Sequence, residues 1–301
     1  MIWWAAVPHL LSVVAWILAA PLGRRLPPRS AAILLSVAAV SLAIGTAATL
    51  TIVGYIGVGD LLPIGPTDWS AADVRERVPV PLGAGVAAVV VGTFLALRCV
   101  VALVDMLRSY RQAVRALEGL TEVSGLTIIE DESQMAYAVP GHGGGRVVVS
   151  RGLLRRLSGP QRKALLAHEK AHLRHRHHWY AQVAILSAKA NPLLAPLRDA
   201  TLLAIERWAD QEAVTAVGNP AVVAEAIGVS ALAMASGPAT ALGAAQSDVV
   251  ARVRLLLSPP GPTKRFAPIG VGSLVAGCWA SSLAFAGQVY AFIEAIEAAA
   301  T

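Results

Sequence analysis

Apolar residues gather into four long runs along this chain, and most polar chemistry lies between the third run and the fourth. Residues 2–22 form the first run, followed by Gly23 and then by Arg24, Arg25 and Arg29. Residues 31 to about 53 form the second, rich in small side chains that let helices approach closely. Residues 82–107 make a third, interrupted by Arg98, and residues 269 to about 293 a fourth. Each reaches the ~20 residues that a helix needs to cross the hydrocarbon of a bilayer. Four membrane-spanning helices are therefore predicted. A cleaved signal peptide would need a basic segment ahead of the first apolar core, and none is present. The stretch between runs two and three is broken by Gly57, Gly59, Pro63, Gly65 and Pro66 and reads as a loop.

The pattern changes after Leu107. Arg108, Arg111, Arg115 and Glu118 mark a polar helix leaving the membrane. Residues 126–130, 135–139 and 146–150 read as short strands, with residues 140–145 as a turn between the last two. A helix then begins at Ser158, which is a good N-cap with Gln161 three residues on and Pro160 in the first turn. Residues 179–190 are apolar but too short to span, so a buried or interface-lying helix is expected there. Residues 197–217, 220–236 and 248–257 read as further helices before Pro259, Pro260 and Pro262. The expected architecture is a mainly α membrane protein with four transmembrane helices and an α+β domain built around a small sheet. Its parts are residues 1–107 (three spans), 108–266 (the polar domain) and 267–301 (the fourth span and a short tail).

Composition agrees with a membrane protein: 55% of residues are hydrophobic and only 15% charged, against about 25% charged in ordinary soluble domains. The net charge of +6 comes mainly from arginines beside apolar runs, which points to membrane topology, and no direct nucleic-acid binding is expected. Loop one carries three arginines and no acid. Arg108, Arg111 and Arg115 follow span three, Lys264 and Arg265 precede span four, and loop two is net acidic. By the positive-inside rule, residues 108–266 face the cytoplasm and both termini lie outside. With only Cys99 and Cys278, both in apolar runs, neither a disulfide framework nor cysteine-based metal binding is expected.

The chemistry centres on His168-Glu169-Lys170-Ala171-His172, the pattern H-E-x-x-H on a helix. Two histidines one turn apart on one face can grip a single ion, and the glutamate beside them can take a proton from water. A catalytic zinc takes three protein ligands. Glu206, in the apolar stretch Leu202-Leu203-Ala204-Ile205, needs a partner that zinc would supply. Asp210, one turn on, is placed to hold the outer N–H of a ligand histidine. His175 competes for the third-ligand role, but it lies in a cluster with Arg174, Arg176, His177 and His178 that reads as a polar helix end near phospholipid headgroups. One Zn2+ per chain is expected on His168, His172 and Glu206, with Glu169 as acid and base. The strand carrying Met135, Ala136, Tyr137, Ala138 and Val139 is a candidate for pairing with an extended substrate.

Taken together, H168-E-K-A-H172, E206-R-W-A-D210, A136-Y-A-V-P-G141 and V147-V-V-S-R-G-L-L, with a weaker echo in A251-R-V-R-L-L256, resemble the BlaR/MecR-type membrane zinc peptidases, relatives of the Ste24/HtpX-type proteases. The likeness covers roughly residues 120–257, and three spans before the domain with one after also match the antibiotic-sensor branch. It implies a gluzincin fold, a zinc metalloendopeptidase in a bacterial cell membrane, and regulated proteolysis of a cytoplasmic protein. That target is expected to be a DNA-binding winged-helix repressor of the BlaI/MecI type. The chain departs from the antibiotic sensors in carrying only a short tail where they have a large extracellular penicillin-binding domain, so a signal is expected through loop two, lipid or a partner. A quality-control protease of the HtpX type and a catalytically idle zinc scaffold are the alternatives. The lipid bilayer, the protein substrate and a second copy of the chain are the expected partners.

Overall fold

The computed structural model describes residues 2–58, 80–234, 242–258 and, in part, 269–287. The expected loop of residues 59–79 and most of the fourth span lie outside the described residues. Of that span, Ile269–Ala280 is described as a short apolar helix.

Among the described residues, three helices are long and apolar enough to cross a membrane: α1 (Ile2–Arg25), α2 (Pro28–Val58) and α3 (Leu82–Ala116). At 1.5 Å per residue, α3 runs about 52 Å, well beyond the ~30 Å of hydrocarbon. The expected polar helix after Leu107 is its direct continuation, because Arg, Leu and Ala keep helical propensity after the apolar run ends. Helices α2 and α3 meet through two glycines. A Cβ on Gly57 would sit 2.3 Å from the Gly85 Cα, and one on Gly85 would sit 2.4 Å from the Gly57 Cα, so only hydrogen fits on either side.

The polar domain opens with a three-stranded sheet of order β1-β3-β2: β1 (Leu126–Ile129) runs parallel to β3 (Arg146–Ser150), and β2 (Ala136–Val139) antiparallel to it. Val147, Val148 and Val149 of the central strand are fully buried, whereas β2 is an edge. A short helix, α4 (Arg151–Arg156), is followed by α5 (Gly159–Arg174), α6 (His177–Ala190), a 3-10 turn (Pro192–Leu194), α7 (Ala195–Val217), α8 (Pro220–Met234) and α9 (Leu242–Leu257). Helices α5 and α7 pack side by side.

The main apolar core joins the polar domain to the first two spans. Ala19, Leu35, Ala39 and Leu42 of α1 and α2 share one buried cluster with Leu197, Ala200, Ala204, Ile205 and Trp208 of α7. Two polar ties fix this packing. Asn191, at the α6 terminus, donates from its amide to the Ser12 and Thr46 hydroxyls at 2.9 Å each, inside the bundle. Arg207 is buried and donates to the carbonyls of Gly23 and Leu26 at the elbow between α1 and α2. Both serve backbone or hydroxyl groups that low-dielectric surroundings would otherwise leave unpaired.

Candidate metal centre

The helix carrying H-E-x-x-H starts as its sequence requires: the Ser158 N–H donates to Gln161 Oε1 at 2.9 Å, closing the capping box that precedes Pro160. Ten residues on, His168 and His172 occupy the face turned toward α7. Their Nε2 atoms stand 3.1 Å apart. Glu206, on α7, brings one carboxylate oxygen to 3.4 Å from His168 Nε2 and the other to 3.6 Å from His172 Nε2. Zinc bonds nitrogen or oxygen at ~2.0–2.1 Å, so two tetrahedral ligands should stand about 3.3–3.4 Å apart. The three separations straddle that edge length. His168, His172 and Glu206 form the group that fits a metal ion among the described residues.

Outer contacts hold each of these three side chains. His168 Nδ1 lies 2.9 Å from Asp210 Oδ1, so it donates its proton there and leaves Nε2 free to ligate. Asp210 is almost fully buried and in turn accepts from Arg252 of α9, at 2.9 Å from Nε and 2.7 Å from Nη2. The same guanidinium reaches Glu206 at 2.9 Å. On the other side, His172 Nδ1 meets His177 Nδ1 at 3.2 Å.

These contacts separate the protonation of the two histidines in the metal-free protein. Burial works against charge on His168, but hydrogen bonds to Asp210 and Glu206 outweigh it and push its pKa up to about 10. His172 has no such carboxylate on its outer nitrogen, and burial takes it down to about 4. Burial raises Glu206, but the His168 hydrogen bond and Arg252 outweigh it and hold the carboxyl well below its usual range. Glu169 is raised, mainly by burial.

Glu169 lines the same cavity as the three ligand side chains, a space of about 400 Å³. Ala136, Tyr137, Ala138 and Pro140 wall one side, and Val223, Ala226 and Ile227 of α8 another. Edge strand β2 thus borders the ligand cluster, and Met135 just before it is tied back to Ser150. His175 lies elsewhere: its Nε2 is 2.9 Å from Glu212, and its ring stacks on Trp208.

Two residues at the centre escape a reading by spacing. His177 stood out only as part of the basic cluster, yet it is 1% exposed and touches a ligand. Arg252 lies 42 residues from Asp210, inside A251-R-V-R-L-L256, and nothing local announces its partners.

Residues 111–248 match the model of Peptidase family M48. The match supports the M48 metallopeptidase family, whose members are zinc-dependent, and the His-His-Glu group lies within it. No curated protein and no solved structure matches the chain.

Proposed function

We propose that the chain is a membrane-anchored zinc endopeptidase that cuts a cytoplasmic protein. The observation that carries this is the convergence of two imidazole nitrogens, 3.1 Å apart, on the carboxylate of Glu206, beside a buried glutamate. His168, His172 and Glu206 would hold the ion; when bound, zinc polarises the scissile carbonyl and acidifies water. Asp210 holds His168 in the tautomer that leaves Nε2 free. Glu169 accepts the proton of the attacking water and passes it to the leaving amine, and the burial that raises its pKa favours both halves of that transfer near neutrality. The free edge of β2 lays an extended substrate along the cavity, main chain to main chain.

The arginine asymmetry favours a cytoplasmic site, and the family resemblance a bacterial cell membrane. A reporter fused after Ser158 should then be active inside, and one at Gly65 outside. Following the antibiotic-sensor resemblance, the substrate is a winged-helix repressor and cleavage is a regulatory event.

The purified protein in detergent, incubated with an unstructured protein, should cleave it, stop on chelation and recover on adding zinc. Activity that ignores the chelator would remove the metal from the account. Fragment profiles of cells with and without the active protein then separate one regulatory target from the many expected of a quality-control protease.

A further inference from the structure

Helices α5 and α6 are joined by a single left-handed residue, Arg176, at φ 53° and ψ 43°. Side chains with a Cβ avoid this region, and it persists where the surrounding structure demands it. Its effect is to end α5 at Arg174, with His175 as the cap, and start α6 with His177 turned back into the site. His177 is 1% exposed, so a polar ring has been withdrawn from water completely. Its plane is fixed by neighbours: Trp208 at 4.7 Å between ring centroids, His172 edge-on at 4.9 Å and His175 stacked at 5.7 Å.

From these contacts, and resting on the zinc reading of the site, we propose that His177 is a positioning residue for the metal ligand His172. Its Nδ1 accepts the Nδ1–H of His172, which leaves His172 Nε2 facing His168 and Glu206. The proton inventory permits one arrangement. A ring that ligates through Nε2 must carry its proton on Nδ1. The Nδ1 that receives it must be bare, so His177 holds its own proton on Nε2. That Nε2 is buried without a hydrogen-bond partner among the described residues. An apolar residue would fill the same space without stranding a donor, so the stranded N–H is the counterpart of the acceptor on the opposite side of the ring. The ring need not be charged to do this, and a cation there would be buried between aromatic faces with no carboxylate in contact among the described residues.

His177→Phe keeps a ring against Trp208 and removes the acceptor; His177→Asn restores an acceptor without the ring. Zinc affinity is read by chelator competition on the full chain in detergent, with unfolding of the metal-free forms measured alongside. Loss of an outer hydrogen bond to a ligand histidine typically weakens metal binding about 10–100-fold. His177→Phe should fall in that range while unfolding, metal-free, near the wild-type temperature, and His177→Asn should recover most of the affinity. Zinc binding by His177→Phe within about twofold of wild type would overturn the proposal. Because either variant could fail to fold, nitrogen-15 spectra of histidine in the zinc-loaded wild type give an independent reading. His172 should be protonated at Nδ1 and His177 at Nε2; the reverse at either ring overturns the proposal. Failure of the wild type to bind zinc at all would remove the reading of the site as well. Tight wild-type binding with an unaffected Phe variant would remove only the role of His177.

Discussion

The two histidines that could hold a metal lie one turn apart on the same helix, yet their flanks are built from different materials. His168 leans on charge: Asp210 at its outer nitrogen, Arg252 behind that carboxylate, and the same arginine on Glu206. His172 leans on rings, with His177 at its outer nitrogen and Trp208 behind. The charged flank stores a proton when no metal is present, and the aromatic flank excludes one. Zinc must therefore displace a proton at one ligand only, and the two flanks should respond differently to pH and to substitution.

The charged flank is where the largest losses are expected. Glu206→Ala removes a ligand and leaves Arg252 facing two bare histidines; metal analysis of the purified variant should show most zinc gone at neutral pH. Retained zinc would mean that another residue is the third ligand. Asp210→Ala comes next. It frees the His168 tautomer, with an expected ~10–100-fold loss of zinc affinity. It also leaves the Arg252 guanidinium with Glu206 as its one remaining carboxylate among the described residues, so stability should fall by less than the ~3–5 kcal/mol of an unpaired buried charge. Denaturant unfolding with and without zinc separates the two effects.

The pH response sharpens the contrast. His168 titrates at about 10 in the metal-free protein, so at pH 7 it is protonated and must be neutral to bind metal. Zinc uptake should release about one proton near neutrality, and affinity should weaken about tenfold for each unit that the pH is lowered there. His172, at about 4, contributes nothing to that slope near neutrality. Calorimetry in buffers of different ionisation enthalpy counts the protons; a count near zero would place the stored proton elsewhere. The smallest effect belongs to His175→Ala. The variant loses a contact with Glu212 and a ring stacked on Trp208, neither of which belongs to the His-His-Glu group, and zinc occupancy should stay near wild type.

Legibility in the sequence follows the range of the interactions involved. The α5 helix was readable because its start, spacing and chemistry are local: Ser158, Gln161 and Pro160 fix the end, and His168 and His172 share a face. Glu206 and Asp210 were readable because a carboxylate in an apolar helical stretch needs an explanation. The strands were placed within a residue or two, since alternation is also local. What escaped depends on tertiary meetings. Asn191-Pro192 ends α6, as that pair of residues would suggest, but the Asn191 amide also anchors the domain between α1 and α2. Nothing in the run around Arg207 announces that it reaches the elbow between α1 and α2. His177 looked solvated because it sits among arginines, and only the left-handed turn at Arg176 sends it inward. Boundaries slipped where hydropathy and helix propensity part company: α2 runs on to Val58 and α3 to Ala116.

Whether the centre performs hydrolysis turns on Glu169, which is buried beside the ligands and does not belong to the His-His-Glu group. Glu169→Gln keeps size and shape and leaves all three ligands in place. The measurement is zinc content and cleavage rate on the same purified sample. Zinc content should match wild type, and cleavage should fall by the roughly 10²–10⁴-fold associated with a positioned acid or base. Wild-type cleavage by a fully zinc-loaded Glu169→Gln protein would contradict the account.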